Sequence, residues 1–311
     1  MPLISSTSAS RHEEETWLLG LPDLGDFLRF VRRTVVGGAE LDRGRLADEW
    51  RRANDHYHEL EQREVGLADE VEQRDLPPEL APLAEELLSD PSFRRSFDET
   101  LPTRLAMVEL DKLVVCQRSV TQTFVEELQR QLGPSPGPEQ VFRCCLPLGS
   151  RDAPVRFERL GAGRYAFRSD STDFRFHEAV LLSPEQLQGY TPLGAVAGVV
   201  GLVVGFGSNL LNAIQVGDRL ILHNGYHRAC ALRGLGLTHA PCVVRTVTRP
   251  DELELAAKSS VVDDAQLYLE AARPPLLRDF FDPAIGRRWR VQPQVRVVEL
   301  TYEAHETYVS A

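Results

Sequence analysis

The sequence predicts an α+β protein, and three observations predict it. Apolar residues recur at helical spacing through residues 11–100. Apolar and polar side chains alternate over 155–182 and again over 290–302, the period of half-buried strands. Between these stretches, at 212–247, a hairpin pattern leads through a strand, a glycine turn and a short helix into another strand. Together they give an N-terminal helical domain followed by an α+β domain with a small mixed sheet.

At 311 residues, 42% hydrophobic and 26% charged, the chain can bury a sizeable core and has room for two domains. Its formal net charge of −11 argues against a general nucleic-acid binder, which needs a basic footprint. Lys112 and Lys258 are its lysines, and the other thirty-three of its 35 basic residues are arginine. Cys116, Cys144, Cys145, Cys230 and Cys242 have neither CxxC nor zinc-finger spacing and read as reduced, buried thiols of a cytoplasmic protein. Residues 1–10 are small and polar, a disordered tail without the basic start and apolar run of a signal peptide.

The helical domain is drawn over 11–104. Leu24, Phe27, Leu28, Phe30 and Val31 make one amphipathic helix. Residues 46–71 make a long charged one with Trp50, Tyr57, Leu60 and Val65 on its apolar side. Pro77-Pro78 breaks it, and 80–88 forms a further short helix. The charges at 13–15 and 58–75 read as a solvated face, with a protein-docking face as the alternative.

Residues 105–138 form a bridge. A strand at 107–113 leads to a turn, 121–132 is an amphipathic helix carrying Phe124, Val125, Leu128 and Leu132, and 133–138 is a stiff Pro/Gly linker that marks a boundary. The remaining residues, 139–311, are assigned to one α+β domain. It opens with a β-meander at 155–182, turned at 161–163 and 169–171. The segment 193–211 is nearly all apolar and long enough to cross a bilayer. Small-xxx-small pairs at Gly194/Gly198 and Gly201/Gly205 would suit helix packing there. Its glycines and the absence of flanking Lys or Arg favour a buried helix to about Val204, then a Gly-rich loop and a core strand, over a membrane span. A hairpin comes next at 212–216 and 219–222, turned at Gly217-Asp218. Helix returns over 251–281.

Residues 220–236 carry most of the functional signal. The strand Leu220-Ile221-Leu222 enters the polar turn His223-Asn224-Gly225, which opens into a helix beginning Tyr226-His227-Arg228. Free backbone N–H groups, the positive helix end and a guanidinium would converge there, a setting suited to a phosphate. Gly225 permits the turn or a close ligand approach. The rival reading is a helix cap: Asn224 caps, Arg228 pairs with a surface acid and His227 is partly buried. Tyr226 either stacks on a base or packs on the sheet. His223, His227 and His239 lie close in sequence, but their spacing spans a turn and no carboxylate is paired with them, so no metal is assigned. His177-Glu178 ends a predicted strand, and Glu178 is the one candidate acid/base residue. Walker A, G-x-S-x-G, H-E-x-x-H and Rossmann fingerprints are absent.

The stretch 213–247 resembles the ParB/sulfiredoxin superfamily. Gly225-Tyr226-His227-Arg228 stands in the place of that superfamily's Gly-x-His-Arg turn. Ala231-Leu232-Arg233, Gly236-Leu237 and Pro241-Cys242-Val243-Val244 match its Ala-rich helix, its short glycine link and its next strand. A second likeness lies at 107–132, where a strand, an x-Leu-x-Lys-Leu-like turn, Gln117-Arg118 and a helix resemble the opening of ParB-like domains. This would split the domain by a long insertion. The resemblance implies that Asn224, Gly225, Tyr226, His227 and Arg228 bind the phosphates of a nucleotide or phosphorylated small molecule. A kinase-like version would transfer phosphate from ATP or ADP with Mg²⁺. Sulfiredoxins carry a cysteine where this chain has Tyr226, which argues against their chemistry. Asp263-Asp264-Ala265-Gln266 lacks the Asn and Arg of the third ParB motif, which argues against a CTP clamp. The alternative class is a non-catalytic scaffold that docks a protein partner through the helical domain. DNA partition or nuclease work is disfavoured by charge and by the missing motif.

Overall fold

The computed structural model describes residues 13–21, 23–97, 100–149, 153–171, 173–187 and 189–310. The tail drawn at 1–10 lies outside them. In chain order come β1 (Glu13–Leu18), α1 (Leu24–Thr34), α2 (Arg43–Arg63), β2 (Gln73–Arg74), α3 (Ala81–Ser89) and α4 (Pro91–Ser96). After them stand β3 (Thr103–Glu109), β4 (Val114–Val115), β5 (Ser119–Thr121), α5 (Gln122–Leu132) and α6 (Pro138–Cys145). Four strands come next: β6 (Arg156–Gly161), β7 (Arg164–Ser169), β8 (Phe174–Leu182) and β9 (Val199–Phe206). The last third holds β10 (Asn212–Val216), β11 (Arg219–Asn224), α7 (Tyr226–Gly234), β12 (His239–Val247), α8 (Pro250–Ala256), α9 (Ser259–Asp263), β13 (Gly286–Val291) and β14 (Arg296–Thr301). The class is α+β, as the patterning predicts.

The chain forms two compact units. One takes the chain up to Leu148 and again over Leu210–Pro293; the other takes Gly149–Asn209 and Gln294–Ala311. The boundaries drawn from sequence at 104 and 138 fall inside the first unit. Strand pairing is the reason. β3 pairs antiparallel with β12, setting Ala106 against Cys242, and β1 pairs with β13 near the far end of the chain.

The first unit is built on a six-stranded mixed sheet, in the order β2-β3-β12-β10-β11-β4. β10 and β11 are the expected hairpin, turned at Gly217, whose φ of +58° suits glycine. β12 returns parallel to β10 through α7. Ala229, Cys230, Ala231 and Leu232 are all buried, so α7 is a core helix with no solvated face. A second sheet has the order β13-β1-β5. The segment 13–18, expected as helix, is strand because both of its edges are paired, with β13 and with β5. This pairing outweighs a weak local preference. α2 starts where the Asp42 carboxylate accepts the Arg45 N–H at 2.7 Å. It ends at Arg63 rather than reaching residue 71, because Gly66 adopts a φ of +75°. Val65 is therefore exposed instead of lining its apolar side.

A buried ion cluster fastens α2 to the segment 273–279. Arg273 and Asp279 are each 1% exposed and form a two-pronged pair, both contacts at 2.6 Å. Glu64 meets the same guanidinium at 3.0 Å. The Tyr57 hydroxyl donates to the Arg273 carbonyl.

The second unit contains an antiparallel sheet β14-β7-β6 and a separate ribbon β8-β9. The meander expected at 155–182 holds for the β6–β7 hairpin, but β8 leaves it to pair with β9. The helix expected from 193 to about 204 is absent. Residues 199–206 are strand, and Val200 is 69% exposed. Gly194, Gly198 and Gly201 weaken a helix here, while Val199, Val200, Val203 and Val204 favour an extended backbone. Among the described residues no helix is long and apolar enough to cross a membrane.

Candidate phosphate-binding turn

Gly225 takes the N-cap position of α7 with a φ of +97°. A Cβ built there would lie 2.9 Å from Leu211 Cγ and 3.0 Å from Leu211 Cα. Conformation and packing therefore both require glycine. The Asn224 side chain does not cap the helix ahead of it. Its Oδ1 accepts the N–H of Gly225 itself at 2.8 Å, and no side-chain cap is formed on α7. α5 likewise begins at Thr121 without a side-chain cap.

The two helix starts are joined. His227 Nε2 accepts the backbone N–H of Thr121 at 3.0 Å. The Phe124 ring meets the imidazole edge-on, with centroids 5.2 Å apart. Burial and the charge of Arg228 push His227 down to about 4, so the ring is neutral at pH 7 and can accept this bond.

The other two predicted side chains point to internal partners. Tyr226 is buried. Its hydroxyl donates to the Leu222 carbonyl and accepts from the Cys116 N–H at 3.3 Å. Burial pushes this phenol well above its ordinary range, so it stays protonated. Of the two roles weighed for it, packing on the sheet is the one seen. Arg228 is 6% exposed, and its Nη1 donates to the Cys145 carbonyl at 3.0 Å. Asn224, Gly225 and His227 thus shape the turn, while Tyr226 and Arg228 secure it from behind. Glu178 lies on β8, opposite Val203 at a bulge in the second unit, whereas the turn belongs to the first.

Three residues that the sequence pattern does not single out contribute. Lys258 Nζ sits 4.8 Å from the centroid of the Tyr226 ring. Cys116 Sγ lies 3.1 Å from the Tyr226 hydroxyl. Thr121 supplies the N–H that His227 accepts. Cys116 immediately precedes Gln117-Arg118, a segment already notable in the sequence; nothing local marks Lys258 beyond its being one of two lysines. Among the described residues no group of three His, Cys, Asp or Glu is placed to hold a metal ion, and His239 instead meets Glu72 at 3.4 Å.

One surface hollow of about 260 Å³ is lined by Val120 and Gln122 at the start of α5, by Cys230 of α7, and by Asp282 and Arg288. Another of about 580 Å³ lies along α2 beside Arg287. Neither is lined by residues 224–228. In comparison with known proteins the chain matches no family model, no curated protein and no solved structure.

Proposed function

We propose that the paired starts of α5 and α7 bind the phosphate of a nucleotide or phosphorylated small molecule. The domain would be ParB/sulfiredoxin-like, assembled from β3 to α5 and from β10 to β12 around the insertion. The observation that carries this reading is the His227–Thr121 bond, which holds two helix N-termini side by side, neither with a side-chain cap. Each contributes backbone N–H groups and a positive dipole end. Gly225 keeps a side chain away from the turn. Lys258, over Tyr226, supplies the positive charge that the sequence pattern assigns to Arg228; Tyr226 and Arg228 act as the frame.

A phosphotransfer version would use ATP or ADP with Mg²⁺, the ion held mainly by the phosphates. In that version the chain's own residues position the phosphates and offset their charge. The second reading is a non-catalytic, partner-binding module. It is favoured by the internal hydrogen bonds of Tyr226 and Arg228.

Thermal unfolding with ATP, ADP and CTP, with and without Mg²⁺, separates the two. Under the phosphate reading, millimolar nucleotide raises the melting temperature, by an amount equivalent to about 2.7 kcal/mol at a hundredfold excess over Kd. Lys258→Ala then weakens binding about tenfold while the unliganded melting temperature stays put. If no nucleotide shifts the wild type, the phosphate reading fails and the scaffold reading stands.

A further inference from the structure

We propose that β9 is a homodimerisation strand, which pairs edge to edge with β9 of a second copy of this chain. Among the described residues the second unit has four open strand edges, those of β6, β14, β8 and β9. Three carry the charges that discourage edge pairing. β6 has Arg156, Glu158 and Arg159; β14 has Arg296 and Glu299; β8 has Arg175, His177 and Glu178. β9, Val-Val-Gly-Leu-Val-Val-Gly-Phe, has none.

The ribbon β8-β9 is also incomplete as a sheet. Two strands alone are marginal in water, and a third is usually needed for stability. The cross-strand pairs Leu181–Val200 and Ala179–Leu202 share one face. Leu181 is 80% exposed, Val200 69% and Leu202 38%. An antiparallel pairing about a two-fold axis near Leu202 would make a four-stranded sheet, β8-β9-β9-β8, in which this apolar strip becomes continuous across both copies.

Charge selects a second copy as the occupant. An uncharged edge meets its own copy without repulsion. No Lys or Arg lies between Arg175 and Arg219, so Arg175 alone among the ribbon's residues is a Lys or Arg, short of the basic cluster that would draw it to an anionic membrane surface.

The test is sedimentation equilibrium of the full chain, whose mass is 34.8 kDa. The wild type is expected at twice that mass at micromolar concentration. Leu202→Lys and, independently, Val200→Lys place like charges at the two-fold and should return the mass to 34.8 kDa with an unchanged circular dichroism spectrum. Leu255→Lys, at an 86% exposed residue of α8, should leave the dimer intact. Amide exchange over 199–206 should be about tenfold slower in the wild-type dimer than in either monomeric variant. A monomeric wild type, a dimer that survives both strand substitutions, or binding of the monomer to phosphatidylcholine vesicles would each overturn the proposal. None of these readouts depends on nucleotide binding.

Discussion

Arg228 Nη1 and the Cys145 carbonyl lie 3.0 Å apart, and both residues are buried. Cys145 is the last residue of α6, so its carbonyl is among those the helix leaves without an internal partner. The same oxygen accepts the Leu211 N–H at 2.8 Å. A cation at a helix C-terminus is electrostatically favourable. One guanidinium therefore ties α7 to the end of α6, and the same carbonyl holds the residue against which Gly225 packs.

Arg228→Ala should consequently damage the fold before it damages any ligand contact. It removes a large buried side chain and a charged donor to a carbonyl, a loss of about 2–4 kcal/mol. Urea unfolding measures this directly. A variant as stable as wild type would show that the Cys145 contact contributes nothing.

Gly225→Ala should be costly for two separate reasons. Alanine at a φ of +97° is strained, and its Cβ would press on Leu211. Together these suggest a loss of about 2–5 kcal/mol. Gly217→Ala offers the contrast: its φ is also positive, but nothing lies within 4 Å of the added Cβ. Its cost should be about 1–2 kcal/mol.

His227 should make stability pH-dependent. Its folded value, about 4, lies below the ordinary 6.5. Between these values the unfolded chain binds a proton that the folded chain does not, so stability falls as pH drops from about 6.5 toward 4. The full effect is at most roughly 3 kcal/mol. Protonation would also remove the acceptor for the Thr121 N–H. Urea midpoints at pH 7, 6 and 5 should fall in series, and His227→Gln should flatten the slope; an equal slope in the variant would exclude His227 as the source.

Asp279→Ala should be among the most destabilising single substitutions in the first unit. It strands the Arg273 guanidinium, 1% exposed, with Glu64 as its remaining carboxylate. Breaking such a buried pair costs about 3–5 kcal/mol. The double variant Arg273→Met, Asp279→Leu removes both charges and should recover much of that loss in the same denaturation experiment. Recovery of none would show that the hydrogen bonds, rather than the stranded charge, dominate.

Residues 212–247 were legible because their instructions are local. Gly217 and Gly225 sit where only glycine takes a positive φ without strain. Between them the apolar run Leu220-Ile221-Leu222 marks a strand, and after them Ala229 to Leu232 mark a helix small enough to pack on it. The helix read at 121–132 was legible for the same reason and stands at 122–132, because its periodicity needs no partner to be read; the strand read at 107–113 lies four residues earlier, at 103–109, where β12 fixes its register.

Elements that depend on a distant partner were not legible. Residues 13–18 become strand because Glu13 to Leu18 find β13 some 270 residues on. Val199 to Phe206 become an exposed strand because β8 offers an edge to pair with. The site divides in the same way. Sequence alone determined the turn, the glycine and the helix that starts there, since backbone conformation and side-chain spacing are encoded residue by residue. Only the tertiary structure decided that Arg228 reaches inward to Cys145, that Tyr226 closes on Cys116, and that Lys258 comes to rest over its ring. A side chain's partner is set by which elements the core brings beside it, and that depends on pairings across the whole chain.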